Sequence, residues 1–201
     1  MGRMKNPPES GLLAGMDEAG RGSWAGPVVA GAVILPKKMK LPGLNDSKLL
    51  TEKKREALFK LITTHCPYGV GTASHEEVDQ FGLLHATFLA FKRALEALPQ
   101  KPTELWIDGR DRFDFGLPKH SVIRGDSTYR CIAAASIIAK VTRDHLMVEW
   151  AQRYPDYGFE EHKGYGTERH QKALHAFGPS DIHRKSYAPL IKLKWAQEAF
   201  L

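Results

Sequence analysis

Val28 to Leu35 is an uninterrupted run of Val, Ala, Gly, Ile and Leu, stopped by Pro36. A strand with one wet face alternates apolar and polar residues. A run this apolar calls for burial on both faces, which a sheet obtains between two helical layers. A shorter apolar run, Leu12-Leu13-Ala14, precedes it across a brief connection. The pair reads as an antiparallel hairpin, with strands over roughly Leu12 to Glu18 and Gly26 to Leu35.

The rest of the chain supplies the layers. Beyond the basic turn Lys37 to Gly43, the spacing predicts a helix with Thr51 as N-cap and Leu58, Leu61 and Ile62 on one face, ended by Pro67. Tyr68 to Ser74 reads as a third strand, and Glu76 to Leu98 as a helix stopped by Pro99. Two short strands, Glu104 to Gly109 and Ser121 to Asp126, lead to a helix from Ser127 to about Arg153. Its section Cys131 to Ala139 is small or apolar all round and is expected to be buried. Past Pro155, helices are expected near Thr167 to Phe177 and Tyr187 to Phe200. The organisation is therefore one α/β core over 12–155, a frayed leader over 1–11 and a helical extension over 156–201 packed on the core and contributing to substrate binding.

A chain of 201 residues with 42% hydrophobic residues can bury a substantial core. Its net charge of +6 leans toward an anionic partner. Cys66 and Cys131 lack metal-ligand spacing, and two cysteines are too few for a secreted disulfide scaffold. The leader lacks a signal-peptide core, and no stretch approaches the ~18 apolar residues of a membrane span. These features predict a cytoplasmic protein without membrane attachment, and a monomer is expected.

Asp17, Glu18, Asp108 and Asp126 each close an apolar strand candidate, with a glycine nearby. In α/β sheets, sites form beyond the carboxyl ends of strands, and carboxylates delivered there can converge on a cation. Oxygen-only ligation suits Mg²⁺ or Mn²⁺, and two such ions about 4 Å apart are the usual arrangement for cleaving a phosphodiester. A single strand-end Asp is more often a turn residue or cap, and Asp126 precedes a helix. Successive strand residues face opposite sides, so Asp17 and Glu18 share a site only if the chain breaks at Ala19-Gly20 or Glu18 acts indirectly. Asp17 is expected as the central ligand and Glu18 as the looser one.

The stretch Asp17-Glu18-Ala19-Gly20-Arg21-Gly22, with Ala25-Gly26-Pro27-Val28-Val29 behind it, resembles the signature of bacterial ribonuclease HII. Asn45-Asp46-Ser47-Lys48, Ile107-Asp108-Gly109, Gly125-Asp126, Ile132 to Asp144, His162 to Thr167 and His183 to Ser186 continue the match in family order. The resemblance implies an RNase H-like fold: a five-stranded mixed sheet flanked by helices, with a helical C-terminal segment. It implies hydrolysis of RNA in RNA–DNA hybrids, and incision 5′ of ribonucleotides embedded in duplex DNA, leaving 5′-phosphate and 3′-hydroxyl. Asp17, Glu18, Asp108 and Asp126 then take the four acidic, metal-holding positions. Gly20, Arg21, Gly22 and Tyr165 match the positions that sense the RNA–DNA junction.

Physical chemistry adds reasons of its own. Telling RNA from DNA means detecting the 2′-hydroxyl. Gly20 and Gly22 can bring bare backbone to a sugar edge, Arg21 can fork onto a phosphate, and Tyr165 can set its ring against the next deoxyribose. Lys48 is the preferred phosphate contact, at a helix start whose N–H groups also attract anions; Arg184 and Ser186 are further candidates. Lys140, Arg143 and Lys185 also fall inside family blocks. Many family members place a lysine two residues after Gly-Asp, where this chain has Ser127-Thr128-Tyr129-Arg130, and Arg130 is one replacement for that charge. Gln197 to Leu201 faintly resembles tails that dock on sliding clamps. A non-catalytic hybrid-binding module is the alternative function; it predicts loss of at least one of the four acids, and all are present.

Overall fold

A computed structural model describes residues 4–8 and 11–192. Five strands form one mixed sheet: β1 (Leu13–Ala19), β2 (Val28–Val33), β3 (Tyr68–Ala73), β4 (Glu104–Asp108) and β5 (Lys119–Val122), in the order β3-β2-β1-β4-β5. β2 pairs antiparallel with β1 and β3, while β1–β4 and β4–β5 are parallel. The helices are α1 (Glu52–His65), α2 (His75–Phe81), α3 (Leu83–Glu96), α4 (Gly125–Thr128), α5 (Arg130–Arg153), α6 (Phe159–His162) and α7 (Glu168–Phe177).

Every residue of β2 is buried, as its composition demands. On one face of the sheet, Ala86, Ala90, Phe91 and Ala94 of α3 meet Met16, Ala30, Ala32 and Ile107. On the other face lies α5, whose section Cys131–Ala139 is buried without interruption. Leu58 and Ile62 of α1 cover Ile137 and Ile138 from outside. Each isoleucine fully buried this way contributes roughly 1.5–3 kcal/mol. The close approach of α5 depends on two glycines. A Cβ on Gly15 would lie 2.2 Å from the carbonyl carbon of Cys131, and one on Gly31 would lie 2.5 Å from the Ala135 oxygen.

Some boundaries differ from the sequence expectation, each for a local reason. The helix expected over 76–98 is two helices, because Gly82 takes φ +79° and reorients the chain between α2 and α3. Ser74 and Glu77 close a reciprocal capping box at the start of α2. The helix expected from Ser127 is interrupted by extended Tyr129, so Asp126 belongs to the short α4 and does not end a strand. The last strand is Lys119–Val122, earlier than expected. Leu61 sits at the rim of α1, with Leu58 and Ile62 as its buried residues. In the leader, Lys5 pairs with the Tyr129 segment, donating to the Thr128 carbonyl and accepting from Arg130 N–H, so it is tied down where fraying was expected.

Beyond α5 the chain folds back on its far end. Tyr157, Phe159, Ala173, Leu174, Ile182 and Leu190 form a cluster with Ala25, Met147 and Ala151. This cluster ties the C-terminal segment to the loop after β1. Of the helix expected over 187–200, residues 188–192 are helical, and 193–200 lie outside the described residues.

Candidate active site

The pairing Met16↔Ile107 sets β1 and β4 so that Asp17 and Asp108 are next along adjacent parallel strands and point to the same face. Asp17 is opposite Gly31, which places it on the α5 side. Arg124 adopts φ +55°, a left-handed conformation uncommon for a side-chain-bearing residue, and so turns the chain from β5 into α4. The Gly125 amide then donates to Asp108 Oδ1 at 2.7 Å, which brings Asp126 onto the same spot. One ligand oxygen from each of Asp17, Asp108 and Asp126 lies within 4.8 Å of the others.

Glu18 faces the other way, as strand alternation requires. β1 stays regular through Ala19, and the break comes at Gly20, with φ +94°. Glu18 Oε1 accepts from Arg21 Nη1 at 3.3 Å and stands outside the three-aspartate cluster. Burial, then the charges of Glu18, Asp108 and Asp126, hold the Asp17 carboxyl well above its ordinary pKa. Burial lifts Glu18 to about 7 against the opposing pull of Arg21. Asp126 is also raised, by burial and then by Asp108 and Asp46, with Lys48 opposing. Crowded, buried carboxylates repel one another, and their all-oxygen donor set fits a hard divalent cation such as Mg²⁺ or Mn²⁺.

Beside the aspartates opens a cleft of about 220 Å³, lined by Glu18, Gly20, Arg21, Gly22, Lys48 and Tyr165, together with Ser47, Ser136 and Lys140. Two buried arginines shape it. Arg143 donates to the carbonyls of Pro27, Ala25 and Lys163 and to Ser23 Oγ. Its guanidinium fills the space over Gly20, where a Cβ would come within 2.1 Å of Nε. Arg184 donates to the carbonyls of Gly26 and Arg21 and to Tyr187 Oη. Arg184, expected at a phosphate, has no exposed surface and buttresses the loop that carries Arg21. Arg143 is equally buried and plays the same kind of part.

The remaining expected contacts sort by exposure. Lys48 is open to solvent, with Nζ 3.6 Å from Asp126 Oδ2. Its surroundings differ from the expected helix start: Lys48 belongs to a 3-10 turn, Ser47–Leu49, and its N–H is already capped by Asp46 Oδ1. Tyr165 is half-buried, under Lys140 and Arg143. Ser186 is exposed, but its hydroxyl donates to Asp79 Oδ1 at 2.6 Å. Arg130 donates to the Met39 carbonyl and lines a separate groove with Lys37, Lys38 and Lys40.

Sequence reasoning missed Asp111 and the serine pair. Asp111 Oδ2 accepts from Arg21 Nη1 at 2.7 Å. Ser47 Oγ and Ser136 Oγ share a buried hydrogen bond of 2.7 Å that fastens the Ser47–Leu49 turn to α5. The available signal was Ser136, a hydroxyl inside an otherwise apolar helical run.

With this geometry in place, the comparisons with known proteins decide the family. Residues 14–195 match the family model of Ribonuclease HII. The chain belongs to the ribonuclease HII family. Ribonuclease HII of Desulfitobacterium hafniense (strain DSM 10664 / DCB-2) is 53% identical over 179 residues, covering 89% of this chain and 69% of that one. The crystal structure of ribonuclease H2 from Pyrococcus horikoshii OT3 superposes with a TM-score of 0.79 at 28% identity, over 92% of this chain and 98% of that one. The ribonuclease HII of Archaeoglobus fulgidus, solved as a complex with PCNA, gives 0.76 at 26% identity, over 88% and 95%. The fold is thus the ribonuclease HII fold, and the chain is a ribonuclease H of type HII, a metal-dependent endonuclease.

Proposed function

We propose that the chain hydrolyses RNA in RNA–DNA hybrids and incises duplex DNA on the 5′ side of an embedded ribonucleotide, leaving a 5′-phosphate and a 3′-hydroxyl. The observation that carries this reading is the convergence of Asp17, Asp108 and Asp126 beside a cleft lined by the Gly20-Arg21-Gly22 loop and Tyr165. Asp17 and Asp108 would hold two divalent cations, Mn²⁺ or Mg²⁺, with Asp126 and Glu18 assisting. Such cations, when bound, stabilise charge on the phosphoryl oxygens and on the attacking and leaving oxygens.

The chain's own groups do the positioning. At about 220 Å³ the cleft is smaller than the ~300 Å³ at which drug-sized pockets begin, a size suited to one sugar. Gly20 and Gly22 offer backbone to a 2′-hydroxyl, Arg21 and Lys48 offer charge to phosphates, and Tyr165 meets the next deoxyribose. Ser186 reaches a phosphate only by exchanging its bond to Asp79. The segment 156–201 serves as an extension of the core over 12–155 and adds to substrate binding, with Tyr165 its main contribution.

A monomer working in the cytoplasm fits this reading; among the described residues no helix is long and apolar enough to cross a membrane. Docking of the tail 197–201 on a sliding clamp is a secondary reading, favoured by the PCNA complex of the Archaeoglobus fulgidus relative. That tail lies outside the described residues. Unchanged clamp binding after its deletion would end the idea. The main test is cleavage of duplex DNA carrying one ribonucleotide, with Mg²⁺, Mn²⁺ or EDTA and the cut mapped. A cut 5′ of the ribonucleotide, abolished by EDTA, supports the proposal. Binding without any cut would replace it with the hybrid-binding module.

A further inference from the structure

Behind Tyr165 three histidine rings are packed together. His162 and His170 stack at 4.5 Å, and His170 lies 5.1 Å from His183. Phe159 caps all three, and His170 and His183 have no exposed surface. Their hydrogen bonds leave one consistent arrangement of protons. The Gly164 amide donates to His162 Nδ1, so that nitrogen is bare and Nε2–H donates to the Tyr157 carbonyl. The Ser180 amide likewise donates to His183 Nδ1 at 2.9 Å, nearer than the Ser180 carbonyl at 3.3 Å, which leaves the proton on Nε2. His183 Nε2 then donates to His170 Nε2 at 2.9 Å, and His170 Nδ1–H donates to the Tyr165 carbonyl at 3.0 Å.

We propose that His183 and His170 form a neutral, proton-ordered relay, flanked by His162, that positions Tyr165 for reading the sugar after the ribonucleotide. Burial favours the neutral rings, pushing His170 down to about 4 and His183 to about 3. The relay also joins the two halves of the cleft. His183 bridges Ala25 through the backbone, in the segment that continues the Gly20 to Gly22 loop, while His170 and His162 hold Tyr165 and Gly164. A proton placed on the wrong nitrogen of His170 would set two N–H groups against each other across 2.9 Å. These histidines touch no substrate; they are positioning residues, and the role rests on Tyr165 meeting the deoxyribose as proposed above.

The test compares two amides. Asn in place of His170 keeps a donor near Nδ1, toward Tyr165; Gln keeps a polar group near Nε2, toward His183. The readout is the cleavage rate on duplex DNA with one ribonucleotide divided by that on a uniform RNA–DNA hybrid, since only the first presents a following deoxyribose. His170→Gln is expected to lower this ratio by about tenfold or more, within the range a small misplacement causes, and His170→Asn to hold it within about threefold of wild type. Equal loss in both variants, or none in either, overturns the relay. Tyr165→Ala separates the two readings: an unchanged ratio in that variant overturns junction sensing by Tyr165 and the relay's role with it. A lowered ratio there, with His170→Gln like wild type, overturns the relay alone. Nitrogen-15 NMR of the wild-type histidines at about pH 6 is independent of variant folding. It should show His170 and His183 neutral, protonated at Nδ1 in His170 and at Nε2 in His183. A cationic or Nε2-protonated His170 overturns the proposal.

Discussion

Arg21 Nη1 lies 2.7 Å from Asp111 Oδ2, closer than its 3.3 Å approach to Glu18 Oε1. Asp111 therefore holds the guanidinium over the cleft, in a pose it would otherwise have to find on binding. Asp111→Ala is expected to raise KM for a single-ribonucleotide duplex about three- to tenfold while kcat stays within about twofold, since preorganised binding is lost and the aspartates are untouched. Steady-state kinetics checks this. A fall in kcat at constant KM would mean that Asp111 acts on the chemistry.

Asp17→Asn is expected to lower activity by several orders of magnitude while substrate still binds. The same change removes one charge from a crowded, buried set. It should raise the Tm of the protein in EDTA, because the repulsion among the remaining carboxylates is relieved. Thermal unfolding in EDTA measures this. A lower Tm for the variant would show that the carboxylates are not repelling one another.

Glu18 carries a pH signature. Its folded-state pKa is raised from 4.5 to about 7, so the folded state binds its proton more tightly than the unfolded one. The resulting stabilisation is fully present below 4.5 and is lost as pH rises through about 7. In EDTA, the Tm advantage of Glu18→Gln over wild type should therefore grow between those two values and level off above. Saturating Mn²⁺ should flatten the curve, because a bound cation offsets the charge.

The histidines act in the opposite sense. Neutral His162, His170 and His183 are favoured by the fold, so their contribution is present above 6.5 and is lost as pH falls toward about 4 for His170 and about 3 for His183. Arg169, Glu160 and Glu161 face His162, and His75 faces His183. Acid should loosen the segment around Tyr165 before the sheet, as read by hydrogen exchange at Gly164 and Tyr165 against β2.

Arg143→Met should destabilise by about 3–5 kcal/mol, since it strands buried acceptors at Pro27, Ala25 and Lys163. Arg143→Lys should recover little, because an ammonium cannot span the same fork. Urea unfolding checks both variants.

Much of the fold was legible because its signals are local. The apolar run at Val28 and the acids closing two strands state their surroundings in a few residues. The opposite facing of Asp17 and Glu18 followed from strand period alone. What escaped depends on distant partners. An arginine's charge does not say whether phosphates or carbonyls will surround it, so the sequence offers Arg184 to a phosphate while the fold encloses it among carbonyls. The breaks at Gly82 and Tyr129 are changes of backbone conformation, which the periodicity of apolar side chains does not encode. Asp111 sits in a polar loop where nothing marks it as the partner of Arg21.

Gly15 and Gly31 leave the floor of the site no slack, since even a methyl group would strike the α5 backbone. The catalytic depth is therefore not an adjustable dimension of this protein. A redesign of substrate preference that tilts α5 or thickens the sheet should fail at folding before it reaches activity. The tolerant variables lie at the rim, in the loop after β1, the Ser47–Leu49 turn and the segment around Tyr165. A mutational scan would separate a rigid basin from an evolvable lip.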